Sequence, residues 1–484
     1  MTDRKNKLRR ISIDPLTRVE GHGKVTLLLD ENDHVVQARL HIVEFRGFEK
    51  FIQGRPCEEV PILVQRLCGI CPVSHLLAAS KALDQLAGVE QLTPAAEKQR
   101  RLLHLGQVLQ SHALHFFYLA APDLLFGFDS DAQQRNILGV MEQHRDIALK
   151  GIRIRKYGQE VIQAITGKRI HGTGPLPGGM NRPLPPTDRD HLLADIDQTI
   201  RWCQEGLALI RKIYLGNPEY HTRFAIIRSN FLSLAGQGGA LELYHGTLRA
   251  RDAAGKTVFD QIDYRHYGRY LREEVKPWSY MKFPYIHSLG SESGWYRVGP
   301  LARINNCDFI PTPLAEQARQ EFLQHGSGQP VHASLAYHWA RMIEAVHCAE
   351  AIRELLHDPE LLGSDLLVEG TKQQEGIGVI EAPRGTLFHH YRIDEQGLVA
   401  KANLIVSTTH NNQAMNEAIR QVAATCLDGH TLTEGLLNHI EVAIRAYDPC
   451  LSCATHAIGK MPLQVELYDA EGKLLARREK SSHG

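Results

Sequence analysis

No stretch of this chain approaches the ~20 consecutive apolar residues that a membrane-spanning helix needs. The opening segment MTDRKNKLRR carries charge with no apolar run behind it, so neither a membrane span nor an export signal is expected. Excess charge is missing as well: 55 lysines and arginines meet 55 aspartates and glutamates, leaving no overall basic field for nucleic acid or an anionic membrane. A glycine-rich dinucleotide fingerprint and a flavin site are absent, which puts any nicotinamide chemistry on other chains. There is no internal repeat and no low-complexity tract. Cysteine is scarce, nine residues in 484, odd in number and spread widely. That excludes the disulfide framework of a small secreted domain and fits a reducing compartment.

What is present is concentrated in two C-x-x-C elements near opposite ends: Cys68 with Cys71 in QRLCGICPVSH, and Cys450 with Cys453 in RAYDPCLSCATH. Four thiolates brought together make a soft site for zinc, copper(I), iron-sulfur or nickel and iron, whereas magnesium and calcium prefer oxygen. The pairs of a zinc ribbon lie ~15 to 20 residues apart; these are separated by most of the chain. A thioredoxin-type dithiol needs one pair beside a βαβ pattern, which neither end shows. Spacing alone leaves a structural metal, a catalytic metal and coincidence open. Cys57, Cys203, Cys307, Cys348 and Cys426 stand singly and read as buried packing residues.

The expected fold class is mainly α, a helical-bundle core with peripheral β-hairpins, in which both ends of the chain meet at a buried metal site. PVSHLLAASKALDQL predicts a helix over 72–86, with Pro72 in its first turn, Gly88 beyond its end and His75 one turn after Cys71. Further helices are expected at about 95–121, 132–166, 189–214, 331–357 and 412–447, the last broken near Gly429, with 95–121 and 331–357 in the bundle. Hairpins are expected to turn at Asp30 to Asp33 and at Asp394 to Gly397. HGTGPLPGGMNRPLPP reads as an ordered loop or an interhelical linker. Motifs so far apart that share one site argue for one intertwined domain.

Five blocks occur in order: IDPLTRVEGHGKV, EFRGFEKFIQGRP, RLCGICPVSH, EAPRGTLFHHY and DPCLSCATH. From Ile13 to His456 this series resembles the large, catalytic subunit of NiFe hydrogenases. LHIVEFRGFEKF, MKFPY, VGPLAR, EAPRGTLFHHY and RAYDPCLSCATH look most like the soluble bidirectional NAD-reducing group. F420- or NADP-linked soluble enzymes and a metal-free relative of the complex I type are the alternatives. The four retained cysteines speak against the latter, and R-V-E-G-H and EAPRG against a zinc-stabilised structural protein.

The resemblance implies a catalytic Ni-Fe centre carrying carbon monoxide and two cyanides on iron. Cys68 and Cys450 would be terminal nickel ligands; Cys71 and Cys453 would bridge to iron. Heterolytic cleavage of dihydrogen releases a proton inside the protein, so a carboxylate must stand nearby. Glu20 is the implied relay, against an ordinary salt bridge to Arg18. Glu49 and His456 are the implied magnesium ligands, completed by a backbone carbonyl from the 402–406 strand; a surface pair with Lys50 or Arg46 is the plainer role for Glu49. Arg384 would lie against a cyanide and the open side of the centre. Pro383 would sit against a diatomic ligand, and Thr408 would donate to the other cyanide. Asp448 would pair with Arg384, or act as a helix N-cap. His75 would hydrogen-bond a bridging sulfur. Ser111 and HNNQ after Thr409 replace an aspartate and a tryptophan-containing segment of many relatives, removing charge above the cluster. His112 and His115, three apart, suit either a proton path or packing.

The same resemblance implies an iron-sulfur small subunit that accepts the electrons, with NAD, FMN and iron-sulfur clusters only on partner subunits of the diaphorase and small-subunit kinds. It also implies nickel-insertion proteins, a maturation endopeptidase and a cytoplasmic location. That protease would cut after His456 and release 457–484, where MPLQVELYDAEGKLLARREK reads as a hairpin turning at Ala470 to Gly472. The domain expected to remain is 1–456.

Overall fold

The computed structural model describes residues 9–30, 32, 34–427, 434–455, 463–468 and 474–480. Helix dominates. The helix Pro72–Leu86 has the expected bounds, because Pro72 fits a first turn where its missing N–H costs nothing and Gly88 leaves at φ +72°. Pro94–Leu114, Arg145–Thr166, Pro186–Gly216 and Ala336–His357 pack against one another in successive pairs and carry much of the main apolar core.

Several boundaries differ from the expected ones: the helix expected at 331–357 begins at Ala336, and the one expected at 189–214 runs Pro186–Gly216. The segment expected to run helically from 95 to 121 widens to a π-helical turn over His115–Ala120, and a further helix, Ala121–Phe126, follows it. The stretch 132–166 divides at His144 into Ile137–Gln143 and Arg145–Thr166, because His144 takes φ −133°, ψ 46°. Near the end, Asn412–Leu427 and Glu434–Ala446 are separate helices; Gly429 lies outside the described residues.

The sheets depart further from expectation. Gly23–Leu29 and Val35–Ile42 form the first hairpin, and Arg9–Ile13 adds a third strand to it. Gly385–Ile393 and Val399–Ile405 form the second, but Glu375–Ala382 pairs with its outer side and the hairpin is not peripheral. One face of this sheet sends Ile380, Leu387 and Leu404 into the main core. The other sends Ile377, Val379, Phe388 and Ile405 into a second core against a four-stranded sheet. Near-continuous apolar strands are what a sheet covered on both faces requires.

That second sheet, ordered Tyr296–Arg297, Asn230–Ala235, Thr247–Arg251, Thr257–Ile262, was not foreseen. The Pro- and Gly-rich segment is an ordered loop carrying a minimal hairpin, Pro175–Leu176 with Gly179–Met180. No helix among the described residues is long and apolar enough to cross a membrane.

One contact fixes the geometry of the centre. The helix Pro72–Leu86 lies on the strand Glu375–Ala382 so closely that a Cβ on Gly376 would stand 2.1 Å from the Ala82 carbonyl, and one on Gly378 would stand 1.9 Å from that of Ala78. Glycine at both positions lets backbone meet backbone. The first cysteine pair and the EAPRG turn are thereby held in one rigid unit. The tail strands Leu463–Tyr468 and Leu474–Lys480 pair antiparallel as expected, and their turn lies outside the described residues.

Candidate metal centre

The sulfurs of Cys68, Cys71, Cys450 and Cys453 lie within 4.8 Å of one another, and all four residues are buried. Cys68 and Cys450 are 3.3 Å apart at sulfur, Cys71 and Cys453 3.9 Å. The N–H groups of Ile70 and Cys71, at the start of the Pro72–Leu86 helix, each point at the Cys68 sulfur from 3.2 Å. Such donors favour thiolate. Burial opposes ionisation of Cys68, yet hydrogen bonds from Cys450, Cys453 and Cys71 carry its thiol well below the ordinary range. Cys71 falls to about 6, drawn down by donation from Cys450 and Cys453.

The second pair is delivered by a link between the chain ends. Glu20 and Cys450 form a parallel β-bridge, with Leu451 N–H donating to the Glu20 carbonyl at 3.0 Å. Gly21 follows with φ +83°, and a Cβ there would be 2.7 Å from Ser452 N, so the R-V-E-G block needs glycine where it meets the cysteine loop. The Glu20 carboxylate lies against the cluster: Cys450 Sγ donates to Oε2 at 3.0 Å and Ser452 N–H at 3.1 Å. Arg18 is not its partner. It turns instead to Asp123 at 2.5 Å and the Leu119 carbonyl.

Around Arg384 the surroundings are buried and held by hydrogen bonds. Arg384 donates from Nε to the Asp448 carbonyl at 2.6 Å and from Nη2 to Asp448 Oδ1 at 3.0 Å. Asp448 has φ +54° and is engaged by the arginine rather than capping a helix. Burial weighs against the Arg384 charge; the Asp448 carboxylate and the cluster sulfurs outweigh it and raise its pKa well above the usual value. Arg384 Nη1 and Asp448 Oδ2 are buried without a protein partner.

Cys71, His75, Pro383, Arg384, Thr408 and Cys450 line a small cavity closed by Ala382, Leu387 and Val406. The Thr408 hydroxyl oxygen accepts from Cys450 N–H at 2.9 Å, leaving its own proton to donate. His75 is bonded through Nδ1 to His389 Nε2 at 3.0 Å. The donor set is soft, and beside it lies an apolar nook with one unpartnered guanidinium nitrogen. It fits a nickel-iron group bearing small acceptor ligands.

Glu49 is not on a solvated face with Lys50 or Arg46. Its Oε1 accepts from Leu404 N–H at 2.8 Å, inside the strand Val399–Ile405, and from Lys282 Nζ at 3.2 Å. Burial raises its pKa, as it does that of Glu273, which shares Lys282. Two carboxylates around one ammonium leave negative charge for a cation. His456 lies outside the described residues.

Ser111 is buried, and its hydroxyl has no protein partner. His112 bonds Glu344 at 2.9 Å and His115 the Arg445 carbonyl at 2.7 Å; burial holds both imidazoles neutral, His112 at about 4. Within HNNQ, His410 and Gln413 bond side chains, and the two asparagines serve the backbone. Asn411 accepts from Val298 N–H, and Asn412 donates to the carbonyls of Met281 and Lys282, joining the VGPLAR and MKFPY segments.

Sequence reasoning missed Arg303, which is fully buried, forks onto Glu344 at 2.6 Å, reaches Glu381 at 2.8 Å and holds the Pro383 carbonyl at 3.2 Å. It also missed Ser452, Glu44 and His22, which continue outward from Glu20. VGPLAR contained Arg303, but nothing local shows that an arginine is buried.

The nickel-dependent hydrogenase profile matches residues 46–127 and 243–456, and a HoxL-like profile matches 10–45. The β subunit of the NAD-reducing hydrogenase HoxS of Cupriavidus necator is 48% identical over 97% of this chain and 99% of its own. A subunit of the vhu F420-non-reducing hydrogenase of Methanococcus voltae is 46% identical over 86% of this chain and 98% of its own. A crystal structure of an NAD+-reducing NiFe hydrogenase in the H2-reduced state superposes with a TM-score of 0.91 at 56% identity, covering 93% of this chain and 100% of that one. A Dm. baculatum NiFeSe hydrogenase shares the fold with a TM-score of 0.74 at 24% identity. This chain belongs to the nickel-dependent hydrogenase family. Within it the chain is a large subunit, the oxidoreductase component that binds metal through a four-cysteine site.

Proposed function

We propose that the chain cleaves dihydrogen heterolytically and reversibly at a Ni-Fe centre and sends the electrons through an iron-sulfur small subunit, then flavin-bearing diaphorase subunits, to NAD. The observation that carries this reading is the contact of one cluster cysteine, Cys450, with a carboxylate, Glu20. When bound, the centre supplies the redox chemistry that splits dihydrogen. Cys68 and Cys450 would be its terminal nickel ligands, with Cys71 and Cys453 bridging to iron.

Glu20 accepts a proton at Oε2 from Cys450 Sγ, and the Ser452 N–H keeps the carboxylate aimed there. Arg384 would hold a cyanide on iron through Nη1, Thr408 the other through its hydroxyl, and Pro383, which has no N–H, would sit against a diatomic ligand. Asp448 positions Arg384. His75 tunes a bridging sulfur from the cavity wall. Glu49, His456 and a carbonyl of the 402–406 strand would hold magnesium, with Lys282 and Glu273 balancing charge around it. The NAD link is supported by identity to the Cupriavidus relative across nearly the whole chain.

The functional domain is 1–456 and the tail 457–484 is removed by a maturation endopeptidase after nickel insertion. The family match ends at residue 456, and the solved NAD+-reducing chain is wholly covered while part of this one is left over. The location is cytoplasmic.

The test is metal analysis and infrared spectroscopy on the protein purified with its partners from a hydrogenase-competent host. Equimolar nickel and iron with carbon monoxide and cyanide bands support the reading; zinc, or no such bands, sinks it. Glu20→Gln should suppress H/D exchange about a hundredfold or more while those bands persist.

A further inference from the structure

The Glu20 carboxylate does not end the polar chain. Ser452, which gives its N–H to Glu20 Oε2 at 3.1 Å, gives its hydroxyl hydrogen to Glu44 Oε2 at 3.1 Å. The other oxygen of Glu44 meets His22 Nδ1 at 2.9 Å. From there the path is open: the His22 side chain is 69% exposed and that of Glu44 28%. Three separated parts of the sequence meet here, the GHG turn, the strand end before RGFE, and the DPCLSC loop. Arg46 also stands beside Glu44, its Nη2 3.9 Å from Oε2.

We propose that Glu44 and His22 are the outward steps by which this large subunit delivers protons from Glu20 to solvent, with the Ser452 hydroxyl as the bridge. A turn of the Glu20 carboxyl onto the Ser452 hydroxyl completes the hand-over. Ser452 then takes one proton at oxygen and releases its own to Glu44. Glu44 passes a proton to His22 Nδ1, and His22 releases one to water from Nε2, so each group ends with the number it began with. The hydroxyl already donates outward, the orientation that this direction of transfer needs. Burial weighs against the Glu44 charge, yet its contacts with His22 and Ser452 leave it below the ordinary carboxylate range, ionised and able to accept.

This inference rests on Glu20 being the first acceptor, and the experiment separates the two. Glu20→Gln, Glu44→Gln, Glu44→Asp and His22→Ala are prepared in the partner complex. H2 oxidation with an artificial dye, the solvent deuterium isotope effect and the infrared bands of the diatomic ligands are then recorded. Glu44→Gln is expected to slow turnover about tenfold and raise the isotope effect with bands unmoved, and Glu44→Asp to recover part of the rate. His22→Ala is expected to lose several-fold and to regain it with added imidazole. If Glu20→Gln is as fast as wild type, the relay reading itself fails. If Glu20→Gln is slow while Glu44→Gln and His22→Ala match wild type in rate and isotope effect, the exit is wrong and the relay stands. Should Glu44→Gln lack the infrared bands, the surface residue decides: loss in His22→Ala restored by imidazole supports the exit, and an unchanged rate overturns it.

Discussion

The two sides of the cysteine cluster are built to opposite rules. On the Glu20 side, half-buried groups are hydrogen-bonded in a line that reaches solvent within a few side chains. On the Arg384 side a fully buried arginine is pinned by Asp448, and behind it Arg303, Glu344 and Glu381 form ion pairs with no exposed member. One side can change its protonation state cheaply, because water is near to reorganise around it. The other resists change, since unpairing a buried charge costs several kcal/mol, on the order of 3 to 5. A centre that must release protons yet keep its electrostatics constant needs both.

The largest effect should come from the residue that both sides share. Cys450→Ser replaces a soft ligand by a hard one, and purified protein is expected to contain no stoichiometric nickel. Nickel at wild-type content by elemental analysis would remove Cys450 from the metal site. Next is Arg384→Lys, which keeps the charge and loses the fork that spans the Asp448 carbonyl and carboxylate. Turnover should fall about a hundredfold with shifted cyanide bands and nickel retained. Bands at wild-type positions would show that Arg384 does not face the iron ligands, and the contrast with Glu20→Gln, which should leave them in place, would vanish.

The smallest effect is on stability. Burial holds His104, His112 and His347 at about 4, against 6.5 in the unfolded chain. These histidines stay neutral in the folded protein, so their contribution is complete above pH 6.5 and is lost as the pH falls from there toward 4. Each proton taken up on unfolding steepens the loss by roughly 1.4 kcal/mol per pH unit. The melting temperature should therefore drop between pH 7 and pH 5. A flat profile would show that the buried half is better hydrated than the structure indicates.

How much of this could be read from the chain followed from how local each signal was. The helix Pro72–Leu86 announced itself through Pro72 and Gly88, both of which act within one turn. The π-helical turn at His115–Ala120 did not, because HFFYLA keeps helical spacing and only its tertiary setting widens it. The four-stranded sheet was invisible for a similar reason: Tyr296–Arg297 joins it by pairing with Asn230–Phe231 across a long interval of chain. At the centre, the four cysteines, Glu20, Arg384 and Asp448 sit in short blocks, and the structure brings them together. Glu44 and His22 sit in those blocks too, but no block shows that the Glu20–Cys450 bridge would set them in line with Ser452. His456, and with it half of the expected magnesium pair, lies outside the described residues.

The bridge between Glu20 and Cys450 also sets a timetable. It joins residues 430 apart, and the loop it closes is nearly the entire polypeptide. A nascent chain that has not yet emerged past DPCLSC owns two thiolates and no second pair to oppose them, however well its helices have packed. Contacts of such sequence separation are the last that a growing chain can make. Whatever loads the metals therefore meets either a finished protein or an open one, and the final cysteine loop is the door between them.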